Sequence, residues 1–355
     1  MNPRAKRFPG ELNSLLRVGL VVELACASAL AVDAPNGKAV LTNAPKTYMR
    51  VHRPDSNTVH LQICARRFAP IEGTGPTLWL SGVSHLGETN YFRALQEHLE
   101  AQTLVLYEGV KGQTDGESAF SEHSQARANA SATGTEAKKG GAEAQSLQST
   151  LAASLGLAFQ LEAIDYSRPH FRHSDLSIEK IAKLMEARIG DGTNEQTAST
   201  EFSTLMELMD GSSFLGMVAG FGARLLGSSP KLRAFTKLTL IETIGQLEGD
   251  LSKMGRLSPD LQRLLQVLIA ARNETVVEDI QKALKRKQPP RTISVFYGAA
   301  HMADLEERLS RELRYRPVAD TWFTAIAVDL NGSGLTPMEV DLVRKTVKWQ
   351  LEMLR

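Results

Sequence analysis

Short apolar runs bounded by polar turns alternate along this chain with stretches whose apolar residues recur at helical spacing, the pattern of an α/β architecture. Residues 47–51 and 59–64 read as strands around the polar turn Pro54-Asp55-Ser56-Asn57. A strand at 77–81 runs into Gly82; Tyr91, Phe92, Leu95 and Leu99 then mark one face of a helix, and a strand at 104–107 ends in Glu108-Gly109. This is a β-α-β unit, whose crossover predicts parallel strands. Further on, 147–157 reads as helix, 159–166 as strand and about 177–284 as mostly helical. A strand at 292–297, a helix carrying Met302, Leu305, Leu309 and Leu313, and a strand at 322–328 follow. Thr336-Pro337-Met338-Glu339 has the residues of a capping box opening a last helix, with Val340, Val343, Val347 and Leu351 as its buried stripe.

The expected fold is α/β (α+β): a central, largely parallel sheet with flanking helices and an inserted helical subdomain. Residues 1–32 read as a leader, 45–110 as the first half of the core and 111–146 as a disordered low-complexity insertion. Residues 147–176 continue the core, 177–288 form the helical subdomain ending in the helix that carries Arg272, and 289–355 supply the second half. The 111–146 interval is Gly, Ser, Ala, Thr, Glu and Gln with almost no large apolar side chains, too few to offset its ordering entropy by burial. Residues 213–222, apolar all round and glycine-rich, read as a buried helix packed through its glycines, with membrane contact or gating of a groove as the alternative.

Composition narrows the function less than the motifs do. At 355 residues the chain can form a sizeable core, and Lys+Arg 41 against Asp+Glu 40 leaves a formal charge of +1, which excludes nucleic-acid binding driven by bulk electrostatics. The N-terminus has the basic start Arg4-Ala5-Lys6-Arg7, an apolar run from Val18 and the small-x-small site Ala27-Ser28-Ala29, although Glu23 interrupts the run. This predicts export to a periplasmic or extracellular location; an uncleaved leader that keeps the protein near a membrane, or a cytoplasmic chain, are the alternatives. Cleavage would remove Cys26 and leave Cys64 alone, with neither a disulfide framework nor a cysteine zinc site.

Chemistry concentrates at two echoes. Residues 77–81 and 292–297 both run into Gly-x-x-His, as Gly82-x-x-His85 and Gly298-x-x-His301, and each is followed by an amphipathic helix. A histidine just past the carboxyl end of a strand faces the crevice where open α/β sheets bind ligands. Glu108 ends the strand after the first motif, and imidazole plus carboxylate from neighbouring strand ends suits a metal ion or a general-base pair. Arg272 falls inside the stripe Leu261, Leu265, Leu268, Val276, Ile280 and Leu284, so its guanidinium needs an acceptor such as Glu108 or a substrate oxyanion. Between Asp165 and Asp175 titratable groups crowd together; Pro169 argues against a helical His170/His173 metal pair, and Asp165 and Asp175 read as supporting or capping residues, Asp175 as the N-cap of a helix near Ser177.

Gly82-x-x-His85, Glu108, Arg272-Asn273 and Gly298-x-x-His301, in that order and context, resemble the TraB/PrgY/GumN family and the related Tiki proteins. The likeness runs from about residue 81 to 301, and the segment from Gln160 to Tyr166 shares it. It implies an α/β core with an inserted helical subdomain and a metal-dependent hydrolase site, metalloprotease-like as in the Tiki proteins. His85, Glu108 and His301 would then be metal ligands for a divalent ion of Mn, Co or Zn type, with Arg272 the electrostatic partner; the same four residues are the catalytic candidates. The wider erythromycin esterase/ChaN-like superfamily includes metal-independent esterases and haem-binding relatives, so reaction does not follow from fold. The expected function is a metal-dependent peptidase acting on a peptide or small-molecule substrate. Two alternatives stand beside it: an esterase-like hydrolase with a histidine base, and a non-enzymatic exported protein that binds peptide or haem.

Overall fold

The computed structural model describes residues 47–109, 152–177, 229–246 and 259–352, together with the single positions 180 and 183. Its elements begin with β1 (Met49–His52), β2 (Thr58–Pro70), β3 (Thr77–Val83), the short β4 (Leu86–Gly87), α1 (Thr89–Glu100), β5 (Leu104–Tyr107), β6 (Ala158–Phe159), the helical turn α2 (Gln160–Ala163) and β7 (Phe171–His173). They continue with α3 (Pro230–Gln246), α4 (Pro259–Leu284), β8 (Thr292–Gly298), a 3-10 turn (Ala299–His301), α5 (Met302–Arg311), β9 (Tyr315–Asp329) and α6 (Pro337–Glu352).

Seven strands form one mixed sheet in the order β1-β2-β3-β8-β5-β7, with β9 along the other edge of β2. β3, β8, β5 and β7 are parallel, whereas β1, β3 and β9 each pair antiparallel with β2. The expected α/β class is therefore present. The crossover from β3 through α1 to β5 leaves a gap between those strands, and β8, arriving much later in the chain, fills it.

Both faces of this sheet are covered, which explains why β5 and β8 are buried at successive positions rather than alternating. Val105, Tyr107 and Phe296 point to one side, where Tyr91, Phe92, Leu95 and Leu99 of α1 pack with Leu238, Ile241 and Ile244 of α3 and Val340, Val343 and Val347 of α6. Leu104, Leu106, Ile293, Val295 and Tyr297 point to the other, against Val276, Val277 and Ile280 of α4 and Met302, Leu305 and Leu309 of α5. Full burial of one such side chain stabilises the fold by about 1.5–3 kcal/mol. The α6 capping box forms as its sequence predicts: Thr336 N–H donates to Glu339 Oε2 at 2.8 Å, and Glu339 N–H to Thr336 Oγ1 at 3.3 Å.

Three local expectations need correction. Residues 159–166 are not a strand: β6 stops at Phe159, and Gln160–Ala163 turn helically. The apolar/polar alternation there misleads because Gln160, a nominally outward position, is buried and bonded to His85. The strands expected at 59–64 and 322–328 are much longer, since Arg66 lies opposite Asp320 in the register and its Nε donates to Asp320 Oδ1 at 2.7 Å. Those charges interrupt the apolar pattern in sequence but pair across the ladder. Finally β7, parallel to β5, was not anticipated within the polar 165–175 stretch.

The leader, the 111–146 insertion and residues 213–222 lie outside the described residues. Among the described residues, no helix is long and apolar enough to cross a membrane. Cys64 is free and buried.

Candidate functional site

Because β3, β8 and β5 are adjacent and parallel, the segments after them emerge on one edge of the sheet. Val83 lies opposite Gly298, and Tyr107 opposite Phe296. Glu108 continues the ladder by one residue, its N–H donating to Phe296 O at 3.0 Å. Its Oε2 then accepts the Gly298 N–H at 2.6 Å. A Cβ at position 298 would lie 3.3 Å from that oxygen, so glycine here lets the carboxylate rest against the backbone of β8.

Arg272 reaches this carboxylate from α4. Its Nη2 is 2.8 Å from Glu108 Oε1, and the guanidinium also makes a two-point contact with Asp175, Nε to Oδ1 at 2.9 Å and Nη2 to Oδ2 at 2.5 Å. Asp175 is fully buried at its side chain, with Arg272 7% exposed and Glu108 18%. The two-point geometry suits a guanidinium better than an ammonium. Asp175 also accepts the Gly109 N–H at 3.0 Å, tying the segment after β5 to the same guanidinium. Ser174 is braced in turn: the Tyr297 hydroxyl donates to its carbonyl, and its own hydroxyl to Asp279 Oδ2 at 2.8 Å. The helix-stripe position of Arg272 thus marks a buried ionic cluster, with Glu108 as one partner, as the sequence suggested.

The two histidines follow the neighbouring strands β8 and β3. His301 ends the 3-10 turn after β8 and is 5% exposed; its Nε2 stands 3.6 Å from Glu108 Oε1 and its Nδ1 2.7 Å from Asn273 Oδ1. His85 follows β3, is partly buried, and places Nδ1 2.9 Å from Gln160 Oε1. It stands close enough to Glu108 to act on its charge.

Electrostatics fix the charge states. Burial opposes ionisation of Glu108, but Arg272, His301, His85 and the Gly298 N–H together outweigh it and hold its pKa at about 2. For His301 burial dominates and lowers the pKa to about 4, despite the opposing pull of Glu108. At neutral pH the cluster therefore holds an ionised carboxylate facing a neutral imidazole. Burial also keeps the Tyr166 hydroxyl protonated.

His85, Glu108, His301 and Arg272 thus share one sheet edge. As they stand, no three His, Cys, Asp or Glu side chains among the described residues are gathered tightly enough to hold a metal ion. The donor chemistry nevertheless fits one: an ionised carboxylate and two imidazoles whose Nδ1 atoms are engaged by amides, the usual outer support of a metal-binding histidine. His173 lies beside the cluster, its Nε2 contacting the carbonyl of Gly109, the residue after Glu108, whereas His170 Nε2 is buried without a partner. Asp165 closes a local turn onto Ser167, with its N–H at 2.9 Å. Asp175 caps nothing in the described residues beyond the Leu176 N–H at 2.7 Å and serves Arg272 instead. A Ser81–His98 contact at 3.0 Å also exists, but Ser81 is fully buried within the sheet and offers no nucleophile to a substrate.

Sequence reasoning missed Gln160 and gave Asn273 no role of its own. A polar residue directly after the apolar run to Phe159, and an asparagine beside Arg272 on a core-facing helix, were the available signals. Asn273 is fully buried. Comparison with protein-family models, curated proteins and solved structures finds no match to this chain.

Proposed function

We propose that this protein is a metal-dependent hydrolase, a peptidase in the first instance, working at the edge formed by β3, β8 and β5. The observation that supports it best is an ionised Glu108 facing the neutral imidazole of His301, Oε1 to Nε2 at 3.6 Å, too far apart for a direct hydrogen bond. That arrangement favours a cation or a hydrogen-bond donor in the gap. His85, Glu108 and His301 would hold a divalent ion of Mn, Co or Zn type, which when bound supplies a Lewis acid that polarises a carbonyl and acidifies water.

The remaining work falls to the chain itself. Glu108 keeps its charge at any pH above about 2 and is oriented by the Gly298 N–H and Arg272. Arg272, locked to Asp175, keeps a permanent positive charge at the site, where it offsets negative charge developing on a substrate oxygen. The neutral His301 can accept a proton at Nε2.

That last property also supports a metal-free reading, in which His301 is the general base of an ester hydrolysis. Metal analysis separates the two. The purified full chain and its His85→Ala and His301→Ala variants are assayed for bound Mn, Co and Zn and for cleavage of a peptide library and of simple esters, with and without chelator. Metal in the wild type only, with chelator-sensitive peptide cleavage, supports the first reading. Chelator-resistant ester cleavage replaces it with the second.

A further inference from the structure

Two side-chain amides hold the two histidines in the same way. Asn273 Oδ1 meets His301 Nδ1 at 2.7 Å, and Gln160 Oε1 meets His85 Nδ1 at 2.9 Å. For Asn273 the amide orientation is forced. Its Nδ2 faces the His301 carbonyl at 3.2 Å and Asp304 Oδ2 at 2.8 Å, both of which only accept, so the NH2 group belongs there and the oxygen belongs on the ring. Because an amide oxygen cannot donate, His301 Nδ1 carries the proton and Nε2 keeps its lone pair. Asp304 is held in place by Arg308 Nε at 2.7 Å. Gln160 takes the same orientation, its Nε2 donating to the Tyr166 hydroxyl at 2.8 Å with its oxygen on His85, and its backbone N–H donates to the His85 carbonyl at 2.8 Å; a hydroxyl can serve either amide atom, so on this side the histidine spectrum decides the orientation.

We propose that Gln160 and Asn273 are a matched pair of positioning residues that fix His85 and His301 as Nδ1–H tautomers, so that both rings offer an unprotonated Nε2. This rests on reading the two histidines as site residues, and it defines what they can bind. Two lone pairs suit a cation or an acidic hydrogen-bond donor; an anionic ligand would instead require ring N–H groups. In each case the amide lies far in sequence from the ring it serves or on a different element, so the lock exists only in the folded chain.

The test reads the tautomers directly in metal-free protein. The full chain, with ¹⁵N-labelled histidine and stripped with chelator, is examined by long-range ¹H–¹⁵N correlation spectroscopy above neutral pH. The signals are assigned by their loss in His85→Gln and His301→Gln. Both rings are expected as Nδ1–H, and Gln160→Leu and Asn273→Leu are expected to release their own ring, and only that ring, to the Nε2–H form. Either ring found as Nε2–H in the wild type overturns the proposal, and because the wild-type spectrum decides this alone, a leucine variant that fails to fold does not block the test. A folded leucine variant with an unchanged tautomer overturns it too. Titration with cobalt ion is the second arm, with affinity expected to fall about 10–100-fold in each leucine variant. Cobalt binding to a wild type whose rings are Nε2–H leaves the metal reading standing without the positioning role. Nδ1–H rings with no cobalt binding do the reverse.

Discussion

The two Gly-x-x-His motifs read almost alike in sequence, yet the fold builds different things from them. The His301 side is ionic and buried: Arg272, Asp175 and Glu108 form one charge cluster, and the imidazole is 5% exposed against Asn273. The His85 side is more open, resting on Gln160 and, behind it, Tyr166. The glycines differ as well. Gly298 makes room for the Glu108 carboxylate, whereas a Cβ on Gly82 would meet the Cys64 carbonyl at 3.2 Å and Ile63 at 3.3 Å, so Gly82 serves the packing of β3 against β2. A repeated motif can thus supply one half-site that is rigid and electrostatically tuned and another that can adjust to a ligand.

The largest effect should come from the ionic half. Arg272→Leu leaves Asp175 and Glu108 without their shared counter-charge and should destabilise the protein by about 3–5 kcal/mol in denaturant unfolding. A loss below about 1 kcal/mol, the range of an exposed pair, would mean that the cluster is not buried in solution. Arg272→Lys should recover only part of the loss, since an ammonium cannot make the two-point contact with Asp175.

The glycines are expected to separate stability from function. Gly82→Ala pushes a Cβ against backbone and should cost about 1–3 kcal/mol, as overpacking does. Gly298→Ala brings a Cβ to 3.3 Å from a side-chain oxygen of Glu108 instead of backbone, so it should cost less stability than Gly82→Ala while displacing the carboxylate and weakening cobalt binding or hydrolysis. The reverse ranking would show that the two motifs have been assigned the wrong roles.

Truncating the rings should show the same asymmetry. His301→Ala leaves Asn273 Oδ1 buried without its donor and should cost about 1–3 kcal/mol, whereas His85→Ala, at a more open position, should cost about 1 kcal/mol or less. Equal losses in thermal unfolding would indicate equally rigid half-sites.

The subtlest signature is pH dependence in metal-free protein. The folded pKa of His301, about 4, lies below its ordinary 6.5, so the unfolded chain binds the extra proton first. The stability tied to its neutral form is therefore complete above about 6.5 and is lost as pH falls from there towards 4. Glu108, lowered from 4.5 to about 2, adds a second loss between those values. His301→Gln should reduce the upper loss without abolishing it, because burial lowers the pKa of His98 to about 4 as well. A wild-type stability that does not change between pH 6.5 and 4 would refute the burial of His301.

Much of this arrangement was legible in the chain because local physics wrote it there. The apolar stripe of α1, the capping box of α6 and the largely apolar strands at 104–107 and 292–297 follow from periodicities that neighbouring residues set. Arg272 announced itself for a similar reason, as a charge inside a core-facing stripe that had to have a partner. What the sequence left open were choices made across long separations. Only the insertion of β8 between β3 and β5 brings His301 beside Glu108, and only the packing of α4 on the sheet carries Arg272 and Asn273 to that edge. The engagement of Asp175 by Arg272, and the burial of Gln160 against its own strand-like pattern, were settled by a guanidinium and an imidazole from elsewhere in the chain. Hydrophobic spacing reports which face of an element is buried, but a buried polar group is decided by the partner that satisfies it, and that partner exists only in the tertiary structure.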